Sequence, residues 1–281
     1  MSAPQEASYV YAVARPFAAE AVAGLAGVGG YPVHLVAHEG LAAVVSAVPL
    51  HEFDEEALRA NLEDLGWLEE VARAHHTVVD AAARHTDVVP LRLATVYHGD
   101  ERVRSVLAEG RASFERALGR VAGCVEFGVK VYADPATRTP AGAEKSSGAR
   151  PGESPGMAYL RKRREQRDRR DDTWRTAAEL CDRLDASLAE WARARERHRP
   201  QDASLSGESG ENVLNAAYLV ADGDTGAFLD AAQRVRDSAP EGTRIEVSGP
   251  WAPYSFAGVE ALEGTAPEAS EATEAPEGGR P

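Results

Sequence analysis

The sequence has little of what disulfide-rich and zinc-binding domains need. Only two cysteines occur among 281 residues, Cys124 and Cys181, and no CxxC pair brings two thiols together. A disulfide framework requires several cysteines, and a structural zinc site requires four Cys or His ligands at short spacing. The sequence therefore argues against a disulfide-stapled domain and gives no sign of a zinc site.

Long apolar runs are also missing. No window reaches the roughly 18 apolar residues that a membrane span requires. The first residues, Met1–Glu6, lack the basic region and apolar run of a signal peptide. We therefore expect a cytoplasmic protein without a membrane span.

Basic charge and aromatic residues are scarce. The formal net charge is −14 and only 6% of the residues are aromatic. A net negative chain is repelled by phosphate backbones, so nucleic-acid binding is not expected. One basic block, Arg161–Arg170, could bind RNA or an acidic partner. Because acidic residues interleave with it and no aromatic residues alternate with its charges, we interpret it as a solvated helix face.

Motifs of the common enzyme classes are absent. There is no GxGxxG after a strand, no GxxxxGK[ST], no GxSxG and no HExxH. The nearest set of metal ligands is His75, His76, Asp80 and His85, on one predicted helix. No Cys or second carboxylate completes that set, so helix surface or packing explains it better. None of these common enzyme or metal-site templates fits the sequence, and we expect no cofactor and no metal.

What the sequence does contain is a strong mixture of strand and helix periodicity, which predicts an α+β fold of two domains. The N-terminal domain, residues 1–122, contains a first strand, a hairpin and several helices. The C-terminal domain, residues 123–258, reads as strand, long charged helix from Met157 to about His198, strand, helix and strand. That order is close to the split βαβ plan of ferredoxin-like domains. A flexible linker is predicted at about 134–156, and an acidic disordered tail at 259–281.

A stretch that we call the pivot, Asp87–Tyr97, is a near-continuous apolar run between two helical patterns. Apolar residues on both faces predict a central strand. Within it, Pro90 should lie at the strand entry or at a bulge. Arg92 either reaches water at a strand edge or forms a buried polar tie. A rival function follows from Arg92, which could anchor an anion in a small-molecule-binding or catalytic ferredoxin-like protein.

A second informative stretch, which we call the clasp, is Gly249–Phe256. Because two prolines interrupt it, the sequence predicts irregular structure there. Its aromatic residues Trp251, Tyr254 and Phe256 either fill a groove and close the domain or form a docking ledge for a partner.

Several stretches carry a family resemblance when they are taken together. In the N-terminal half these are Asn61–Leu68 with His75, Val89–Tyr97 and Glu126–Val131, and in the C-terminal half Ala158–Leu160, Ala216–Val220 and the clasp. In this order, from about Tyr9 to Ala257, they resemble the gas vesicle protein GvpL/GvpF family. The family usually has Gly where this chain has Ala94, and Pro where it has Ala252.

The resemblance implies an accessory protein of gas vesicle assembly, located at the gas vesicle and without catalytic activity. It implies a chaperone-like or minor structural role in which the protein binds the hydrophobic shell protein GvpA or other Gvp proteins. It also implies two α+β domains, the C-terminal one a modified ferredoxin-like fold. We expect the partner to dock against the N-terminal sheet or in the groove beside the clasp. The residues predicted for that contact are Pro90, Leu91, Arg92, Trp251, Tyr254 and Phe256.

Overall fold

The computed structural model describes residues 6–61, 63–134, 154–200 and 210–258, which form helices and two antiparallel sheets. The first sheet holds strands β1 (Glu6–Ala14), β2 (Val33–His38), β3 (Leu41–Pro49), β4 (Val88–Pro90) and β5 (Val96–Tyr97). The second sheet holds β6 (Cys124–Ala133), β7 (Ala192–Arg197), β8 (Glu211–Ala221) and β9 (Thr243–Trp251). The helices are α1 (Leu50–Phe53), α2 (Glu55–Asn61), α3 (Leu65–Ala83), α4 (Gly99–Glu109), α5 (Arg111–Val121), α6 (Pro155–Ala189) and α7 (Thr225–Asp237). Most of the predicted linker at about 134–156, and all of the predicted tail at 259–281, lie outside the described residues.

The first sheet is covered by helices on both faces. Its strand order is β2-β3-β1-β4, and β5 also pairs with β1. Tyr9 and Tyr11 of β1 belong to the apolar cluster that includes helix α3, whereas Val10 and Val13 belong to the cluster that includes α4 and α5. Burial on both faces explains why β1 and β3 are apolar at nearly every position.

The hairpin of β2 and β3 turns within two residues. His38 pairs with Leu41, which leaves Glu39 and Gly40 as the loop, and both have positive φ, 45° and 83°. Two consecutive residues of positive φ are the geometry of the tight hairpin turns that match strand twist. The predicted Gly-containing hairpin is thus confirmed.

The prediction that the pivot is one central strand is wrong. The pivot contains two short strands, β4 and β5, which both pair with β1 at one end of the sheet order. The prediction that Pro90 lies at the strand entry or at a bulge is also wrong. Pro90 ends β4 opposite Ala12, at the sheet edge, where a residue without an N–H removes no ladder bond. Ala94, between the two strands, has a φ of 62°. Apolar residues on both faces of a strand indicate that helices cover it above and below. They do not indicate that another strand lies on each side of it.

The second sheet has the strand order β7-β8-β6-β9 and every neighbouring pair is antiparallel. As its alternation predicts, β6 turns Phe127, Val129 and Val131 into the core that α6 and α7 cover. Phe127 stacks on Phe228 of α7 with ring centroids 5.0 Å apart. Glu126 and Lys130 belong to the opposite face of the strand.

Helix α6 is the longest element, with 35 residues. Ser154 caps its start by accepting a hydrogen bond from the N–H of Met157. Only its C-terminal half packs on the second sheet, through Leu180, Leu184 and Leu188. Among the helices that the structure describes, none combines the length and apolar character needed to cross a membrane.

The predicted helix from Met157 to about His198 is too long at its end, because α6 stops at Ala189 and β7 begins at Ala192. Strand β7 consists of Ala, Arg and Glu, which favour helix by intrinsic propensity. Pairing with β8 overrides that preference. Arg195 and Arg197 also form ion pairs with Asp185 of α6, which hold the edge strand against the helix.

The clasp is more regular than its prolines predict. Strand β9 continues through Pro250 to Trp251, which pairs with Glu126, and the Gly249–Pro250 peptide bond is cis. Because β9 is an edge strand, Pro250 can lie in it without removing a ladder bond. Gly249 has a φ of 121°, and a Cβ atom there would come within 2.8 Å of the Glu126 carbonyl oxygen. Only glycine therefore fits this position.

One apolar cluster joins the two sheets. It contains Val10 and Val45 of the first sheet, residues of α4 and α5, and Ala217 and Leu219 of β8. Phe256 at the end of the clasp is part of the same cluster. The apolar residues of α4 and α5 therefore share one core with residues of both sheets.

The positive φ of Ala94 generates a stability prediction. For an L-residue with a side chain this region costs about 1–2 kcal/mol, whereas glycine adopts it freely but loses more backbone entropy on folding. We expect Ala94→Gly to raise the free energy of unfolding by roughly 0.5–1 kcal/mol, measured by urea denaturation.

Ala72, exposed in the middle of α3, supplies the matched control. Ala72→Gly should lower the free energy of unfolding by about 1 kcal/mol, because glycine weakens a helix interior. If Ala94→Gly destabilised the protein as Ala72→Gly does, the backbone strain assigned to Ala94 would be wrong.

Candidate functional site

The clasp lies against both halves of the protein. After Trp251 the chain leaves β9, and Ala252 is buried in the apolar cluster of the first sheet and α3. A 3-10 turn, Tyr254–Phe256, then places Phe256 in the cluster that joins the sheets. The clasp thus starts as a strand of the second sheet, passes through the apolar cluster of the first sheet at Ala252, and ends at Phe256 in the cluster that joins the two sheets.

A buried carboxylate holds the clasp in place. Glu126 of β6 is 9% exposed and accepts hydrogen bonds from the backbone N–H and the hydroxyl of Ser255, both at 2.8 Å. Burial raises the pKa of Glu126, and the two bonds from Ser255 partly offset that rise. Since the Ser255 hydroxyl donates to Glu126, it accepts from Nε2 of His198, 3.1 Å away.

Aromatic contacts connect the clasp to helix α3. The ring of Trp251 meets His76 edge-on with centroids 5.0 Å apart, and Tyr254 lies 6.3 Å from both His75 and His76. His76 also pairs with Asp80 one turn later, at 3.2 Å. Burial raises the pKa of Tyr254, and the charge of Asp80 adds to the rise.

His75 ties α3 to β1 and to the pivot. It is 3% exposed, and its Nδ1 lies 3.1 Å from the Tyr9 hydroxyl. That hydroxyl accepts a hydrogen bond from the N–H of Ala94 at 3.0 Å, so it donates its own proton to His75. Burial lowers the pKa of His75 to about 4, and the nearby Leu91 backbone opposes this in part. His75 is therefore a neutral, structural histidine at pH 7.

The structure divides the six predicted partner-binding residues into two groups. Arg92 is exposed, and Trp251 and Tyr254 keep 39% and 36% of their surface exposed. The other three, Pro90, Leu91 and Phe256, are buried. Phe256 therefore packs the junction, whereas Trp251 and Tyr254 beside it remain partly exposed.

The pivot and the clasp meet around His75. The Leu91 backbone lies beside the imidazole on one side, and the Tyr254 ring lies beside it on the other. Sequence reasoning treated the two stretches separately and interpreted His75 only as helix surface or packing. The spacing of His75 from the apolar residues Val71, Val78 and Val79 was the available signal, because residues three or four positions apart share one face of a helix.

The alternative function requires Arg92 to line a pocket in which it could anchor an anion. Arg92 is exposed, and neither of two surface cavities, one beside Phe53 and one beside Arg167, includes it. Within the described ranges no group of three or more His, Cys, Asp or Glu residues is placed to hold a metal ion. The clasp and α3 together form an aromatic surface, in which Trp251 and Tyr254 pack against His75 and His76.

Comparison with protein families gives one match over nearly the whole described chain. The model of the family "Gas vesicle synthesis protein GvpL/GvpF" matches residues 7–258. A curated relative, gas vesicle protein L of Streptomyces sp. (strain CB03234), is 49% identical over 251 residues, which cover 89% of this chain and 92% of the relative. Gas vesicle protein F2 of Halobacterium salinarum is 26% identical over 238 residues, 81% of each chain.

Solved structures show the same fold. The crystal structure of gas vesicle protein GvpF from Anabaena sp. PCC7120 superposes with a TM-score of 0.61 at 19% identity, covering 90% of this chain and 96% of that one. GvpF from Microcystis aeruginosa gives a TM-score of 0.62 at 18% identity, covering 89% and 98%.

The lowered pKa of His75 predicts a pH dependence of stability. Because the unfolded chain takes up a proton near pH 6.5 and the folded chain only near pH 4, unfolding is favoured as pH falls through this window. Between pH 7 and pH 5, His75 should remove about 2 kcal/mol of the free energy of unfolding. The variant His75→Asn keeps an acceptor for Tyr9 but has no imidazole to protonate. Its free energy of unfolding should therefore fall correspondingly less between pH 7 and pH 5.

The measurement is urea unfolding of both proteins at pH 7 and pH 5. The raised pKa of Glu126 acts in the opposite direction at acid pH, but both proteins share it, so the difference between them isolates His75. Equal losses in the two proteins would mean that His75 is not held neutral.

Proposed function

The chain belongs to the gas vesicle synthesis protein GvpL/GvpF family, and we propose that it is a non-enzymatic assembly factor that binds the shell protein GvpA or other Gvp proteins through the clasp. The family takes part in gas vesicle formation and is not known for catalysis. The action of the protein is chaperone-like or minor structural, its partner is GvpA or another Gvp protein, and its location is the gas vesicle.

The single observation that carries the proposal is the exposed aromatic pair of the clasp. Large aromatic side chains at 36–39% exposure are strong candidates for interface contacts, since Trp and Tyr dominate binding hot spots. Trp251 and Tyr254 are also fixed in advance by the Glu126–Ser255 hydrogen bonds and by His76. A pre-ordered ledge loses little conformational entropy on binding, which favours affinity.

A hydrophobic shell protein gives the physical reason for such a factor. A subunit with exposed apolar surface or free strand edges aggregates unless another protein covers them before assembly. A ledge at the junction of two sheets offers both aromatic contact area and nearby strand edges to which an extended segment could add. This is how a non-catalytic protein could keep shell subunits competent for assembly.

We also propose the finer description of the C-terminal half as a modified ferredoxin-like domain, with residues 1–122 as the other domain. The chain order β6-α6-β7-β8-α7-β9 together with the sheet order β7-β8-β6-β9 supports this interpretation. The half-packed charged helix α6 would be its modification.

The experiment is co-purification of the chain with GvpA of the same organism, with Trp251→Ala and Tyr254→Ala as variants. We expect each variant to raise the dissociation constant about tenfold or more, as truncation of a hot-spot residue does. Leu229→Ala is the matched control, because Leu229 is a similarly exposed apolar residue on α7.

Circular dichroism and urea unfolding must show that both variants stay folded. If both folded variants bound GvpA as tightly as the parent chain, the clasp would not be the contact surface, whatever else the protein binds.

A further inference from the structure

Two places on the surface collect most of the exposed large apolar side chains. Along the described chain seven such residues stand out, and three of them, Met157, Tyr159 and Leu160, lie within four positions at the start of α6, each about 60% exposed. A fourth, Leu65, is 79% exposed at the start of α3. Apolar side chains clustered this way usually mark a contact surface, because isolated ones need no cover.

The first place is an arm, Met157–Arg170, formed by the N-terminal half of α6. From Gly156 to Asp171 nearly every residue is exposed, and Thr173 is the first buried one. A helix of this length extends for about 20 Å at 1.5 Å per residue. The arm holds seven Lys or Arg residues and two acidic residues, a formal charge of +5 in a chain of −14.

The arm is both apolar and basic on one face. Met157 and Leu160 are three residues apart, and Arg163 and Arg164 follow Leu160 by three and four, which places them along one side of the helix. Some of the arm's charges are already paired, for example that of Arg161 with Glu165 at 3.0 Å. The remaining cations still outnumber the acids on the arm.

The second place is a cavity that we call the rim cavity, enclosed by the turn at Val28 and helices α1, α2 and α3. Its volume is about 490 Å³, and the apolar part of its lining, which we call the floor, includes Phe53, Trp67 and Val71. Ligand pockets usually have a volume of about 300–1,000 Å³. Leu65 is exposed on α3, two residues before Trp67.

The rim of this cavity is acidic. Glu52 and Glu70 line it, and the surrounding stretch 52–70 holds eight acidic residues and one arginine, a formal charge of −7. Glu52 has weak local partners, the Tyr31 hydroxyl at 3.4 Å and His51 at 3.9 Å. An apolar floor with an anionic rim is the complement of the arm, which begins with apolar residues and continues with cations.

We propose that the arm of one copy of this chain docks in the rim cavity of a second copy. Met157 and Leu160 enter the cavity over Phe53 and Trp67, and Arg163 and Arg164 face Glu52 and Glu70. The apolar residues of the arm match the apolar floor of the cavity. The formal charge of +5 on the arm also matches the formal charge of −7 on residues 52–70. This complementarity selects a second copy as the occupant. Attraction of opposite patches accelerates the encounter and sets its register.

The symmetry of this contact has a consequence. Each copy offers an arm and a cavity at different places, so the contact is heterologous and leaves one free arm and one free cavity in a pair. The copies should therefore form a series of oligomers or a ring. The contact does not involve Trp251 or Tyr254, so it can succeed or fail independently of GvpA binding.

The test is sedimentation velocity of the purified full chain over a range of concentrations at low and high salt. We expect self-association that rises with concentration and weakens with salt, since both charged patches are exposed. Arg163→Glu with Arg164→Glu should weaken it by about tenfold or more, and so should Glu52→Lys with Glu70→Lys. The chain that carries all four changes should associate again, because the charges of arm and rim are then exchanged.

The control is Arg234→Glu with Arg236→Glu on α7, which reverses the same number of charges on another exposed surface and should leave association unchanged. Circular dichroism verifies the fold of every variant. Three results would overturn the proposal: a chain that stays monomeric, association that neither pair or only one pair of changes weakens, or a chain with all four changes that does not regain association. A monomer that instead binds a short RNA through Arg163 and Arg164 would assign the arm to nucleic acid.

Discussion

Burial of the clasp between the two sheets is the constraint on which the arrangement of the molecule depends. Ala252 enters the core of the first sheet, Phe256 enters the cluster shared by both sheets, and Glu126 holds Ser255 between them. A carboxylate that is 9% exposed needs such bonds, because leaving it without donors would cost several kcal/mol. The clasp therefore fixes the position of Trp251 and Tyr254, the aromatic pair in the proposed binding function.

Positive and negative charge are separated along the chain. The body is acidic, the start of α6 is basic, and the basic arm protrudes where it meets solvent instead of its own sheet. Charge of one sign keeps subunits apart, whereas a protruding patch of the other sign allows contact in one orientation. Self-association through the arm and partner binding through the clasp would use surfaces on different elements, so one copy could do both.

Much of the fold was readable because the relevant signals are local. The alternation of Phe127, Val129 and Val131 predicted the face of β6, and the loop at Glu39-Gly40 predicted the hairpin. The candidate site was only partly readable, since Trp251 and Tyr254 were identified but their contacts with His75 and His76 were not. Those contacts join residues more than 170 positions apart, which no periodicity reports.

By itself, the sequence determined the mixture of helix and sheet, most strand and helix positions, and the family resemblance that the comparisons confirm. These depend on side-chain period, turn residues and ordered motifs, all of which are properties of neighbouring residues. Tertiary structure decided that Ala192–Arg197 is a strand, that the pivot breaks at Ala94, and that His75 stays neutral. Each of these outcomes depends on what a distant segment places beside the residue. Strand β8 pairs with Ala192–Arg197, the Tyr9 hydroxyl accepts from Ala94, and the rings of Tyr9, Tyr11 and Tyr254 surround His75.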